Sequence, residues 1–538
     1  MGIDIHMGWS SFVTHIGKKI SFFAVLSIFG YAFAMTEIIR TINDLTSLIE
    51  ANYKQPDLDL IRRAYALAES AHKEEKRLTG HPFVTHPLAV AHKLAEMGVH
   101  LNVVAAGLLH DVVEDTGVEL EEVRRQFGDD VASLVDSVTK LKKVKYQGVE
   151  RYVENMRKMF LAMAADVRVV FIKFADRLHN LQTLYAQPKH KQQRIARESL
   201  EIYAPIAGRL GMNEMKGELE DYAFMYLNPK EYERVHAIME TKVREKGAMV
   251  SRMIDTTERV LRESDIPRSQ VHGRVKRLYS LFLKLARYDN DIHKIYDLVA
   301  VRVIVDDVED CYATLGVLHQ HWKPMPGRIK DYIAQPKPNG YQSLHTTVFS
   351  ESGEIVEFQI RTQEMHDLAE YGIAAHWRYK ETSDKPIRNL RWMEELANIQ
   401  KELENKKDFL DQLEVMKIDV FKDRIFVFTP KGDVIDLPEG GTPIDFAYAI
   451  HTDVGNTCVA ARVNDAMINL DTPLKSGDIV EILTDKNRRG PNPDWLKFVQ
   501  TRHAREKIKD AAHATVSGWL SSYFSASRSS KSKSSSRE

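Results

Sequence analysis

From Thr36 to about Tyr226 apolar residues recur at spacings of three and four, most clearly in Asp57–Glu75, Pro87–Met97, Asn102–Val113 and Val167–Leu184. Such spacing lays one apolar stripe along each segment and predicts helix after helix. Gly98 and Gly117 fall where helices should stop. No period-two alternation interrupts the stretch, so it reads as an all-helical domain. Another helical segment runs on to Glu263, and then the texture changes. Tyr296–Val305, Tyr341–Phe349 and Ile355–Arg361 read as strands, with helices near Cys311–His321 and Glu364–Tyr379 between and after them, a mixed α/β domain. Asn389–Glu414 is charged and helical, a linker. Arg424–Thr484 carries short strands with turn signals at Lys431-Gly432-Asp433, Glu439-Gly440-Gly441 and Ser476-Gly477-Asp478 around one helix. From Ser521 onward the chain is Ser/Lys/Arg-rich and cannot support a core. The expected divisions are 1–35, 36–227, 228–385, 386–418, 419–486, 487–520 and 521–538, with no internal repeat.

A chain of 538 residues is too long for one hydrophobic core, which agrees with several domains. The formal net charge of −1 gives no bulk attraction for nucleic acid, so any phosphate-binding surface must be local. Only Cys311 and Cys458 occur, far apart; this excludes a disulfide scaffold and a cysteine zinc site and fits a reducing, cytoplasmic setting. Ile20–Met35 is an uncharged apolar run behind Lys18 and Lys19, shorter than the roughly 20 residues a bilayer span requires. A marginal membrane segment, a cleaved secretory signal and an extension outside the native fold all remain open. The last is preferred, because amphipathic helix pattern begins directly after Met35, and membrane association is not expected.

Chemistry concentrates in two places. His110-Asp111-Val112-Val113-Glu114-Asp115 lies in predicted helix, where residues four apart share a face. Burying such a cluster is costly without a cation or solvent. His86, between Thr85 and Pro87, belongs at a helix start, and Asp176 lies in Lys173-Phe174-Ala175-Asp176-Arg177-Leu178-His179-Asn180, with Asn180 and Thr183 following on the same side. Two imidazoles and two carboxylates without thiolates suit a divalent ion such as Mn²⁺, and Glu114 and Asp115 stand ready to orient a water or move its proton. Taken together, His86, His110, Asp111 and Asp176 resemble the HD phosphohydrolase superfamily.

The second place is the α/β domain. In Ile355–Arg361 the alternation puts Val356, Phe358 and Ile360 on one face and Glu357, Gln359 and Arg361 outward on the other. Tyr341 and His345 share a face, Asp297 opens a strand, and cations cluster at Arg274, Lys276, Lys284, Arg328 and Lys330. Two carboxylates holding Mg²⁺ amid Arg and Lys meet the needs of phosphoryl transfer between nucleotides. Tyr341 offers a flat face for a base. Neither a Walker A loop nor a kinase Gly-rich loop is present.

His-Asp-x-x-Glu-Asp followed by Asp-Arg-Leu-His-Asn resembles the hydrolase half of RelA/SpoT homologues. Gly-Arg-x-Lys, Tyr-Asp-Leu-x-Ala-x-Arg, Pro-Asn-Gly-Tyr-Gln-Ser-Leu-His-Thr and Glu-Phe-Gln-Ile-Arg-Thr resemble the synthetase half, and Arg424–Thr484 is similar to a β-grasp TGS domain. The likeness covers roughly Tyr53 to Asp510. It implies an all-helical HD hydrolase domain, a nucleotidyltransferase-like α/β synthetase domain and a TGS domain. His86, His110, Asp111 and Asp176 would ligate Mn²⁺, with Glu114 and Asp115 assisting, and Arg77, Asn180 and Thr183 would hold the alarmone (p)ppGpp. Asp297 and Glu357 would serve Mg²⁺, Glu357 also activating the 3′-hydroxyl of GDP or GTP. Tyr341 would stack on guanine, and Arg274, Lys276, Lys284, Arg328, Lys330, Gln342 and His345 would bind phosphates and orient ATP and acceptor. His451 matches a position implicated in contact with the CCA end of tRNA on the ribosome. The intact His-Asp pair and the basic Arg328-Ile329-Lys330-Asp331 stretch imply a bifunctional member. Past Val499 the long form of the family continues into regulatory modules, where this chain runs into its Ser-rich tail, which weakens the implied tRNA contact. A hydrolase-dominant enzyme with a weak synthetase, and a non-catalytic nucleotide sensor bound to ribosome or tRNA, are the competing expectations.

Overall fold

The computed structural model describes residues 40–142, 165–375 and 424–511 with Met159 and Ala162, apart from a few single positions. The run Ile20–Met35, the linker Asn389–Glu414 and the tail from Ser521 lie outside the described residues. The chain divides between residues 399 and 400 into two compact units.

The first unit opens with helices α1 (Ile42–Asn52) and α2 (Leu58–Ala71), started by side-chain caps from Thr41 and Asp57. Next come α3 (Thr85–Glu96), α4 (Leu101–Leu109), the single turn α5 (Val112–Asp115), α6 (Leu120–Lys142) and α7 (Arg168–Gln182). In α4 every residue from Val103 to Leu109 is buried, because α2, α3 and α6 all pack on it. Gly107 lets α3 come close: a Cβ there would lie 2.5 Å from Leu94 Cδ1. The tight α3–α4 pair brings the first turn of α3 beside the end of α4, which is where His86 and His110 sit. After α8 (Lys189–Glu198) a π-helical turn, Ser199–Tyr203, leads into α9 (Ala204–Arg209) and α10 (Asn213–Leu227).

A long helix α11 (Pro229–Glu263) then backs a five-stranded sheet with strand order β1-β2-β5-β4-β3. The strands are β1 (Gln270–Val275), β2 (Val299–Val305), β3 (Lys330–Asp331), β4 (Leu344–Phe349) and β5 (Ile355–Thr362), with helices α12 (Leu278–Arg287), α13 (Val308–His321) and α14 (Gln363–Tyr371). β2 and β5 run parallel and the other pairs antiparallel. One sheet face packs Val301, Val303, Phe358 and Ile360 against Met253 and Ile254 of α11 and Leu318 of α13. On the opposite face the register lines up one polar row across all five strands, His272–Arg302–Gln359–His345–Lys330.

That face departs from expectation. Gln359 and Arg361 do not point into water; they are 3% and 1% exposed. Helix α14 covers them, and Glu370 accepts from Arg361 Nη2 at 2.7 Å and pairs with Arg302 Nη1 at 3.0 Å. Two central strands covered on both faces bury their polar alternates too. The strands are also shorter than predicted at their starts, at Val299 and Leu344, so Asp297 precedes its strand instead of opening it. Residues 376–379, the end of the helix expected over Glu364–Tyr379, lie outside the described residues.

The helical and α/β parts of this unit share a buried seam. Lys93 on α3 pairs with Glu218 on α10 at 2.6 Å, and Arg277, between β1 and α12, pairs with Glu214 and Asp221 of α10. Gly372 crosses Leu210 with φ of +57°, and a Cβ would meet Leu210 O at 2.1 Å. A Gly372→Ala variant should therefore lose about 1–3 kcal/mol of stability from the forced backbone clash, read as a lowered urea midpoint.

The second unit has a hairpin, β6 (Arg424–Phe428) with β7 (Val434–Pro438), and an antiparallel sheet of order β10-β8-β9 from β8 (Cys458–Val463), β9 (Ala466–Ile468) and β10 (Val480–Thr484). Two helices pack on them where one was expected, α15 (Pro443–Ile450) and α16 (Thr452–Thr457). Asp445 caps α15 and, fully buried, accepts from the Gln500 and Thr501 amides at 2.9 and 2.7 Å, which ties the segment after Asp494 to this module.

Candidate active sites

The His-Asp pair does not lie inside one helix. His110 caps the end of α4 and Asp111 starts α5, so the chain bends between them and both side chains turn inward. His86 Nε2 lies 3.6 Å from Asp111 Oδ2 and 3.4 Å from Asp176 Oδ1, and His110 Nε2 lies 3.2 Å from Asp111 Oδ1. Ligand atoms of His86, His110 and Asp176 fall within 4.8 Å of one another. All four residues are at most 5% exposed. Gly107 O bonds His110 Nδ1 at 2.8 Å, which puts the ring proton there and leaves Nε2 bare and buried with no hydrogen bond. Burial depresses the His86 imidazole to a pKa of about 3, so it is neutral and available as a ligand. Burial would raise the Asp176 carboxyl, but the Lys173 ammonium at 2.7 Å and His86 hold it well below the usual range. A closed set of two imidazoles and two carboxylates, with one buried ring nitrogen that makes no hydrogen bond, fits a divalent cation.

A cavity of about 520 Å³ opens from this cluster. Arg77, Asn180 and Thr183 line it, joined by Arg77 bonds to Asn180 Oδ1 at 3.4 Å and Thr183 Oγ1 at 3.0 Å. Asn180 also reaches Asp176 Oδ1 at 2.5 Å. Glu114 and Asp115 follow in α5. The sequence reading missed Lys76, Lys173, Arg177, Arg194, Glu198 and Tyr203 in this wall. Arg177 lies over the Tyr203 ring at 4.1 Å, and Glu198 accepts from Arg177 and Arg194. Spacing of three from Asp176 could have flagged Lys173, and Arg177 is the chain neighbour of Asp176; Lys76, Arg194, Glu198 and Tyr203 are far from it in sequence and carry no local signal.

The second cluster gathers at the sheet. Asp297 Oδ2 accepts from Lys284 Nζ at 2.6 Å and Lys276 Nζ at 2.9 Å. Burial opposes ionisation, yet these two ammoniums bring its pKa down to about 2. Glu357 is likewise held below the carboxylate range against its burial, by His345 Nδ1 at 3.2 Å and by Gln359 Nε2 at 2.9 Å. Asp297 stands three residues before Ala300, the β2 neighbour of Glu357, and its charge works against the lowering at Glu357. Arg274 on β1 stands opposite Ala300, the strand neighbour of Glu357. Tyr341 Oη meets His345 Nε2 at 2.8 Å, and Lys337 Nζ lies 5.1 Å from the Tyr341 ring centre. Gln342 bonds Ile333 O at 3.2 Å, whereas Arg328 and Lys330 are exposed. In the second unit His451 sits exposed between α15 and α16, bonding the Asp453 amide.

Beside this cluster His366 Nδ1 accepts from Arg361 Nη2 at 2.8 Å, which requires a neutral imidazole. Burial, then the arginines, depress His366 to about 3 and His272 to about 4. Both rings take up protons more readily when unfolded, near pH 6.5. Stability they contribute is complete above pH 6.5 and lost as pH falls toward 4. The melting temperature should drop over that window, and a His272→Gln/His366→Gln double variant should show a shallower drop.

Comparison with known proteins agrees with this layout. An HD domain model matches residues 64–213, a model described as the region found in RelA/SpoT proteins matches 273–384, and a TGS domain model matches 425–484. The GTP pyrophosphokinase of Streptomyces coelicolor is 48% identical over 469 residues, 84% of this chain and 55% of that protein. The bifunctional (p)ppGpp synthase/hydrolase SpoT of Escherichia coli K12 is 44% identical over 470 residues, 86% of this chain and 66% of that one. The chain belongs to the RelA/SpoT family. It spans 55% to 66% of the length of these two relatives. The probable guanosine-3′,5′-bis(diphosphate) 3′-pyrophosphohydrolase of Synechocystis is 45% identical over 458 residues, 84% of this chain and 60% of that protein. This RelA/SpoT chain therefore has relatives named for each of two opposed reactions. Among its described residues no helix is long and apolar enough to cross a membrane.

Proposed function

We propose that this chain is a bifunctional alarmone enzyme of the cytoplasm. It transfers pyrophosphate from ATP to the 3′-hydroxyl of GDP or GTP with Mg²⁺, and it hydrolyses (p)ppGpp to GDP or GTP and pyrophosphate with Mn²⁺. The observation that carries the reading is the buried convergence of His86, His110, Asp111 and Asp176 in one part of the chain, with a separate pair of ionised acids amid lysines in another.

In the hydrolase pocket His86, His110, Asp111 and Asp176 would hold the divalent ion, whose chemistry would be to make a water nucleophilic at neutral pH. Glu114 and Asp115 take up and pass on the proton that the leaving 3′-oxygen needs. Arg77, Asn180 and Thr183 hold the nucleotide, their mutual bonds fixing its place. In the synthetase site Asp297 and Glu357 serve Mg²⁺, and Glu357, ionised at neutral pH, is in the state that accepts the 3′-hydroxyl proton. Arg274, Lys276, Lys284, Arg328, Lys330, Gln342 and His345 orient the phosphates of ATP and acceptor, and Tyr341 stacks on guanine. The TGS domain, through the exposed His451, is assigned a contact to tRNA on the ribosome.

Incubating the full chain with ATP and GDP under Mg²⁺, and separately with ppGpp under Mn²⁺, tests both halves; no ppGpp in the first removes the synthetase, no pyrophosphate in the second removes the hydrolase. One observation favours a hydrolase-dominant resting state. Asp297 is engaged by two lysines and Lys337 stands over the Tyr341 face, whereas the hydrolase cavity lies open beside its ligands. That reading expects hydrolysis to exceed synthesis when both substrates are present.

A further inference from the structure

Helix α7 carries Asp176, and three residues further on His179 occupies a buried position to which the reactions above give no task. Its Nδ1 lies 2.8 Å from Nδ1 of His86, with the ring centres 5.0 Å apart. The other nitrogen of His86, Nε2, faces Asp111 and Asp176. Only one proton fits between two imidazole nitrogens at that distance, so one ring donates and the other accepts. A ligating Nε2 must be bare, which obliges His86 to carry its proton on Nδ1.

From this we infer that His179 is a positioning residue: as a neutral ring protonated on Nε2 it accepts the His86 Nδ1 proton and so locks His86 in the tautomer and orientation that bind the divalent ion. The inference rests on the metal-site reading above. Gly107 O does the same for His110, which makes the two imidazole ligands equivalent in design though one is held by a backbone carbonyl and the other by a side chain. The difference matters, because the side-chain acceptor can be removed by substitution. On the same helix Lys173, three residues before Asp176, holds Oδ2 of that carboxylate at 2.7 Å while Oδ1 faces His86. Helix α7 thus supplies one ligand and, one turn to either side, a support for each of two ligands.

Outer partners of metal-bound histidines typically affect metal affinity by about 10–100-fold. The measurement is Mn²⁺ binding to the full chain by electron paramagnetic resonance titration, with ATP-to-GDP pyrophosphate transfer as a check on folding. His179→Leu removes the acceptor and should weaken Mn²⁺ binding by about 10–100-fold with transfer unchanged. His179→Asn places an amide oxygen near the position of Nδ1 and should stay within a few-fold of the parent. His179→Gln puts its oxygen one bond farther out and should resemble Leu. Should the leucine variant fail to fold, the Asn-to-Gln contrast decides. Equal Mn²⁺ affinity in Asn and Gln variants, or an undiminished affinity in the leucine variant, overturns the assignment. A parent chain that binds no Mn²⁺ at all overturns instead the metal site on which it stands.

Discussion

An Asp111→Asn or His110→Ala variant should lose (p)ppGpp hydrolysis by at least about 1,000-fold, since without the ion the attacking water keeps a pKa near 15.7 in place of one near 7. Synthesis should continue in the same protein. The expectation follows from geometry: Asp111 touches both imidazoles, at 3.6 and 3.2 Å, and all four residues are buried at the head of the cavity, so losing one removes a donor from the set. His110→Ala also removes the one ring whose metal-facing nitrogen is buried without a hydrogen bond. Parallel assays of pyrophosphate release from ppGpp and of ppGpp formation, on one preparation, would check it. Loss of both activities in a variant whose melting temperature matches the parent's would disprove the separate-site account; loss of both with a lowered melting temperature would point to damage passed across the Arg277–Glu214 contact that joins the two parts.

Much of the helical domain was legible because its information is local. The i, i+3 and i, i+4 apolar stripes of α2, α3 and α7 state which faces are covered, and Thr41 and Asp57 mark starts by side-chain chemistry. The metal-fitting residues were legible for a different reason: His86, His110, Asp111 and Asp176 are residue types whose burial needs a partner, so finding them in apolar segments was itself a signal. What failed was fine geometry. The bend between His110 and Asp111 is invisible in a run as helical in composition as Val103–Asp115, and only the three-dimensional site shows that the break turns both side chains inward. The fate of Arg361 failed more instructively. Alternation in β5 correctly separates its two faces but cannot say that α14 will fold over the polar one. That depends on Glu370, nine positions along, meeting both Arg361 and Arg302, a contact between a strand, its neighbour and the next helix. Burial pushes Arg302 down to about 9 despite the Glu370 carboxylate beside it, and the neighbouring Arg361 and Arg274 add to the fall. The row His272–Arg302–Gln359–His345–Lys330 is a product of strand register and exists nowhere in the linear order.

The synthetase should be equally separable. Glu357→Gln is expected to lower ppGpp formation by about 100–1,000-fold, the usual cost of removing one group that acts on charge developing in the transition state, while hydrolysis of ppGpp remains near the parent rate. The substitution keeps the shape of the side chain, so the strand pairing of β5 with β2 and β4 should persist. It removes the anion to which His345 and Gln359 are attached, and with it the group proposed to receive the 3′-hydroxyl proton. Asp297→Asn should act differently. There the lost charge leaves Lys276 and Lys284, now tied to one carboxylate oxygen, without a counter-ion in a half-buried site. Its defect should include weaker Mg²⁺ and ATP binding, seen as a raised KM for ATP, whereas Glu357→Gln should fall mainly in kcat. The split between the two parameters is the informative result, because both acids feel the same local field yet are assigned different tasks. If both variants lost only kcat, Asp297 would be reassigned from holding the nucleotide to the chemical step itself. If neither lost synthesis, the acids beside β2 and on β5 would be a covered ion-pair network of the kind Arg302 and Glu370 already form on the same face, and the transfer reaction would have to be sought elsewhere in the chain.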